Sequence, residues 1–205
     1  CKSINMDKYT TLKEQVLELL KTKLPENLYY HGVGHTLRAI DVSESYIDHH
    51  KLGVHEAQLL RLAVLLHDVG YTETSLKHEE AGARIAKEMM TGLEFSALQI
   101  KVVCDLIRAT KVPQRPMNLL ERIICDIDLD YLGRDDYMEI SELLFKELYE
   151  NSMIDSREEW NKMQIDFLEN HKYHTFFGRT ERQPVKEKWL AELRSSLPLG
   201  ESMAS

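Results

Sequence analysis

Cysteine is scarce in this 205-residue chain: Cys1, Cys104 and Cys125 are odd in number and far apart. That excludes a disulfide framework and a thiolate zinc site, and it makes a reducing cytoplasm the expected compartment. No apolar run approaches the ~18 residues of a membrane span, and the opening residues do not resemble a signal peptide. Basic residues are the minority charge, 26 against 34 acids, for a net charge of −8. Attachment to a nucleic acid polymer or to an anionic membrane, both of which need a basic face, is therefore not expected. A small phosphorylated substrate stays compatible, because a metal ion and a few cations can make one site locally positive. The chain opens on Cys1 rather than Met, so excision from a longer protein is left open, as is a homo-oligomer.

Helix breakers are also few, five prolines and nine glycines. With apolar residues recurring at three and four, the chain reads as all-α with no strand. Its length most simply makes one domain, residues 1–205, with a C-terminal helical extension over about 137–197 and a small polar tail, 198–205, expected to be disordered. Helices are expected over 7–23, 34–50, 55–69, 75–90, 95–110, 117–133, 134–151, 155–171 and the end of 173–197, with Ser75 as an N-cap.

The stretch Leu59 to Gly70 is apolar on nearly every side, so as a helix it runs through a core, yet it ends in His67 and Asp68. Burying an unpaired carboxylate costs several kcal/mol or more, which a charge partner or a metal ion normally offsets. Adjacent helix residues point about 100° apart and converge on one ion only at a helix end; Gly70 reads as the C′ residue that places them there. A core His bonded to its neighbouring Asp is the alternative.

His35 opens an inward stripe completed by Ala39, Val42 and Tyr46, with Arg38 one turn on. His31 precedes His35 by four residues but shares its face only if the helix starts before the glycines. Asp126, Asp128 and Asp130 alternate through Cys125 to Gly133. Measured from the apolar stripe Leu120, Ile124, Ile127 and Tyr131, Asp128 falls at about 70°, Asp130 at about 90° and Asp126 at about 130°. Asp128 is the acid expected to point inward. His35, His67, Asp68 and Asp128 together suit a first-row divalent ion.

These residues resemble the HD family of metal-dependent phosphohydrolases, whose pattern is H…HD…D on an all-α scaffold. The resemblance covers roughly Tyr29 to Asp136: His35 with Arg38, the run Leu66 to Gly70, His78 with Glu79, and Asp126 to Gly133. It implies a compact multi-helix HD-domain bundle, its metal-site core at about 29–136, and one divalent ion (Mn, Fe, Co, Ni, Zn or Mg) held by His35, His67, Asp68 and Asp128, with Asp126 the runner-up for the last place.

His78 matches the histidine that holds a second metal in binuclear members, but those carry a further histidine where this chain has Ile107 to Lys111. Tyr71 stands where the two-metal phosphodiesterase branch has lysine. His78 is accordingly expected to serve the substrate phosphate or the ligands. A diiron oxygenase, which also wants the longer ligand set, is disfavoured on the same ground.

The activity implied is hydrolysis of a phosphate ester or anhydride of a small molecule, with nucleotides the leading class, by a metal-activated water. Asp68 would orient that water or accept its proton. Arg38, His78, Lys77 and Lys111 would bind phosphate oxygens, with Arg38 and His78 also assisting the chemistry; for Arg38, Lys77 and Lys111 a solvated surface charge is the alternative. Glu79 reads as a first-turn acid, Asp126 and Asp130 as groups that orient ligands or face solvent, and His49, His50, His55, His171 and His174 as surface residues. The competing functional class is a non-catalytic nucleotide-binding or regulatory module on the same scaffold.

Overall fold

Leu59, Leu60 and the unbroken run Leu62 to Leu66 are buried because the helix that carries them, α3 (Val54–Leu66), has neighbours on all sides. In the computed structural model, which describes residues 6–196, α3 packs against α1 (Met6–Lys23), α2 (Val33–His50), α4 (His78–Gly92), α5 (Ala97–Ala109) and α6 (Leu119–Asp128). An apolar stripe on one face suffices for a surface helix, whereas a helix enclosed by five others needs apolar residues all round. No strand occurs among the described residues. The expected disordered tail, 198–205, lies outside them.

By its internal contacts the chain divides into two compact units, Cys1–Leu129 and Asp130–Ser205. The division falls within the stretch that the sequence assigns to the metal-site core.

In the first unit the inward stripe of α2 is as expected, with His35, Ala39, Val42 and Tyr46 all buried. Capping places α5: the Ser96 hydroxyl accepts from the Gln99 backbone N–H while the Gln99 side chain accepts from the Ser96 backbone, satisfying two donors at once. The buried stripe of α5 is Val103, Cys104, Leu106 and Ile107, and Leu98 is 66 % exposed. The stripe of α6 is wider than the sequence implies. Ile123 through Ile127 are all buried, Asp126 completely, because α2, α3 and α5 each contact this helix.

Two expectations about helix ends are corrected. Gly70 is not a left-handed C′ residue, since no glycine among the described residues has positive φ. It sits in a 3-10 turn (Val69–Thr72), where a Cβ would come within 2.7 Å of the Gly82 backbone nitrogen and closer still to the His78 carbonyl. Gly70 is therefore there for contact between the turn and α4, and Gly82, whose own Cβ position is 3.4 Å from the His67 carbonyl, completes that contact. Nor does Ser75 cap α4. The N-cap is Lys77, held at φ 57° and ψ 40° with no side-chain capping bond.

The second unit contains a 3-10 turn (Asp130–Gly133), α7 (Tyr137–Glu150), α8 (Arg157–Asn170), a π-helical turn (Gly178–Arg182) and α9 (Gln183–Ser196). Several buried polar groups here are paired. Tyr137 and Ser141 both donate to the Gln164 side-chain oxygen at 2.8 and 2.9 Å, and Arg182 Nε donates to Asp130 at 2.7 Å. Lys186 is fully buried and donates to the His171 carbonyl. His171 and His174, expected on the surface, are half-buried, His171 because Lys186 closes over it.

Candidate metal centre

His35 is the third residue of α2, and the first turn of that helix turns its side chain inward, 5 % exposed. α3 ends at Leu66, so His67 and Asp68 leave the helix together: His67 keeps helical dihedrals, while Asp68 takes φ −102°, ψ 4° ahead of the 3-10 turn. This break lets adjacent side chains, which diverge within a helix, point at one place. Asp128 enters from the last residue of α6.

The atoms converge closely. His35 Nε2 and His67 Nε2 are 2.9 Å apart. Asp68 Oδ2 lies 3.4 Å from both imidazole nitrogens, and Asp128 Oδ1 lies 3.4 Å from His35 and 3.6 Å from His67. His67 Nδ1 is 2.7 Å from the Val64 carbonyl, which can only accept, so Nδ1 carries a hydrogen. Neutral His67 then presents a lone pair at Nε2, toward the cluster.

The electrostatics show why these groups stay together. Burial works against a charged imidazole at His67, yet Asp68 and Asp128 outweigh it and raise the pKa to about 9. Burial likewise opposes the Asp68 carboxylate and is overcome by His67, His35 and His31, which hold its pKa below the ordinary value. At Asp128 burial is overcome by hydrogen bonds to His35 and His67, and the pKa is again lowered. Two carboxylates and two imidazoles thus share buried charge.

A metal ion fits this arrangement. Ligand atoms of His35, His67 and Asp128 lie within 4.8 Å of one another, and Asp68 Oδ2 is a buried oxygen with no hydrogen-bond partner. An orphaned, fully buried carboxylate oxygen is costly unless a cation completes it. Two nitrogens and two oxygens, with no thiolate, suit a first-row divalent ion. Burial keeps the Cys125 thiol protonated, and its Sγ lies 3.1 Å from the Ala109 carbonyl.

Residues 32–130 match the HD domain family. By that match this segment is an HD domain. The match runs close to the 29–136 core read from the sequence, and it contains the converging residues of the HD domain. Comparison with curated proteins and with solved structures finds no match.

The remaining expected residues divide into near and far. His78, the first residue of α4, places Nε2 3.8 Å from both Asp68 Oδ1 and Glu79 Oε1. Glu79 is 8 % exposed and so more than a solvated first-turn acid. Arg38 is half-buried and folds back over the start of α2, its Nη1 3.3 Å from where a Gly34 Cβ would stand. Lys77 and Lys111 are exposed, and among the described residues no side-chain bond or ion pair joins either of them, or Arg38, to the cluster. Asp126, placed by the helical wheel farthest from the buried stripe, is fully buried. Asp130 belongs to the second unit, where Arg182 holds it.

His31 is the residue that sequence reasoning set aside. It stacks on Tyr71 and its charge contributes to the lowered pKa of Asp68. The four-residue spacing to His35 was the available signal, but the helix does start at the glycines, so a loop rather than a shared helical face brings His31 in.

Proposed function

We propose that this HD domain is a metal-dependent phosphohydrolase acting on a phosphate ester or anhydride of a small molecule, with nucleotides the leading substrate class. The observation that carries the reading is the buried Asp68 Oδ2, without a hydrogen-bond partner, 3.4 Å from two imidazole nitrogens that themselves face each other. A divalent ion held there would supply Lewis acidity toward a phosphoryl oxygen and would lower the pKa of water toward neutrality.

His35, His67, Asp68 and Asp128 would hold the ion. His67 is set for this by its Nδ1–H bond to Val64, which fixes ring and tautomer. Asp68 would have a second role: its Oδ1, 3.8 Å from His78 Nε2, would orient the attacking water or take up its proton. His78 would then meet a phosphoryl oxygen beside it. Arg38, Lys77 and Lys111 would add positive charge for the leaving portion of the substrate, Arg38 by unfolding from Gly34. The acidic balance of the chain favours a small substrate over a nucleic acid polymer, and no helix among the described residues is long and apolar enough to cross a membrane.

The test is to load the chain with each divalent metal in turn, measure metal per chain, and assay phosphomonoesters, nucleotides and dinucleotides. Stoichiometric metal with turnover that chelation abolishes is the expected result. Absence of turnover with every metal would sink the enzyme reading; a metal-free, fully folded, nucleotide-binding protein would favour the regulatory module.

A further inference from the structure

Tyr71 follows the His67–Asp68 pair by three residues, within the 3-10 turn, and is 8 % exposed. Its ring stacks on two imidazoles from distant parts of the chain. The centroid distance to His31, in the loop before α2, is 4.2 Å, and to His78, at the start of α4, it is 4.1 Å; both pairs are within 23° of parallel. The two imidazoles are 6.4 Å apart and tilted 46° to each other, so Tyr71 is the ring that joins them.

Little else fixes the His78 ring. Its Nδ1 stands 3.4 Å from the Ser75 carbonyl, a long bond, and its Nε2 is 3.8 Å from each of two carboxylate oxygens, beyond hydrogen-bond reach. An imidazole can turn about two side-chain torsions, and the stacking face is what selects one orientation. His31 also meets two rings, Tyr71 stacked on one side and Tyr30 edge-on at 4.6 Å.

We infer that Tyr71 is a positioning residue, which by stacking on both His31 and His78 holds the two imidazoles at the Asp68 side of the cluster, where they meet the phosphoryl oxygens of the substrate. The inference rests on the phosphohydrolase reading and deepens it: substrate recognition depends on a ring that never touches the substrate. The ring is the active element.

The Mn²⁺-loaded chain is compared with its Tyr71→Phe and Tyr71→Leu variants, reading Mn²⁺ per chain, melting temperature, and KM and kcat for p-nitrophenyl phosphate and bis(p-nitrophenyl) phosphate. Tyr71→Phe is expected to stay within about twofold of the parent in KM, and Tyr71→Leu to raise KM by about tenfold with Mn²⁺ retained, the size expected for losing two aromatic contacts. In a His78→Ala background the leucine substitution is expected to cost much less than it does alone, because the ring acts through the imidazole. Should Tyr71→Leu lose Mn²⁺ or melt early, Tyr71→Met, which fills similar volume without a ring, takes its place.

Parent-like KM in the ringless variants, equal damage from Tyr71→Phe and Tyr71→Leu, or full additivity with His78→Ala would each overturn the assignment. If the parent chain turns over neither these probes nor the wider substrate panel with any metal, the phosphohydrolase reading itself falls and this inference falls with it.

Discussion

His35 and His67 point their Nε2 atoms at each other across 2.9 Å, and since the His67 Nδ1 proton is committed to Val64, a proton must lie between the two rings in the metal-free protein. A metal ion held by these residues would displace that proton. His67, with a pKa raised to about 9, is charged at neutral pH without metal and must be neutral to ligate. Metal binding should therefore release about one proton at pH 7, and the apparent Mn²⁺ affinity should rise roughly tenfold per pH unit up to about pH 9. The linkage in the metal-free chain has the opposite sense: a raised pKa stabilises fully below the ordinary value of 6.5 and the contribution fades as pH climbs through 9. Titration calorimetry in two buffers of different ionisation enthalpy counts the protons, and a pH-independent affinity would contradict this.

The acids of α6 should separate cleanly. Asp128→Asn removes a group 3.4 Å from His35 and should lower metal content and cut turnover by about a hundredfold or more. Asp126→Asn, at a fully buried position outside the converging set, should keep the metal while lowering the melting temperature. Elemental analysis of both variants decides, and the reverse pattern would make Asp126 the ligand.

Gly70→Ala should be among the most damaging single-methyl changes in the chain. The added carbon has backbone on its far side, the Gly82 nitrogen at 2.7 Å and the His78 carbonyl carbon at 2.8 Å, and backbone cannot rotate aside. A loss of about 3 kcal/mol is expected, with α4 and His78 displaced from the cluster. Denaturant unfolding together with metal content tests both parts.

Lys77→Gly should act in two directions. A side chain at φ 57° carries a backbone cost of about 1–2 kcal/mol that glycine relieves, so stability should rise by about 1 kcal/mol. If the Lys77 amine also meets substrate phosphate, KM should rise at the same time, by less at high salt because the side chain is exposed. Higher stability with unchanged KM would remove Lys77 from the substrate-binding set.

Lys186 offers a test in the second unit. Burial, the leading cause, lowers its pKa to about 8 from 10.5. The unfolded chain then binds more protons between those values, so the lysine costs stability most below pH 8 and progressively less as pH rises toward 10.5. Lys186→Met should gain about 1–2 kcal/mol at pH 7 after the lost bond to the His171 carbonyl is counted, and the gain should vanish above pH 10. Urea unfolding of both proteins at pH 7, 9 and 10.5 measures it.

The sequence by itself determined the helices, the all-round apolar character of α3, and His35, His67 and Asp128 as inward-pointing groups, because helical periodicity and an apolar run closed by two polar residues are local signals. Tertiary structure decided the rest. Asp126 is buried because three helices cover α6, which a single-stripe wheel does not represent. Gly70 is glycine because α4 crosses over it, not because of its own dihedrals. His31 reaches the site through Tyr71, from a loop that has no periodicity to read. Periodicity reports which way a residue faces on its own element, whereas the neighbours that meet it there come from elsewhere in the chain and are fixed only when the helices pack.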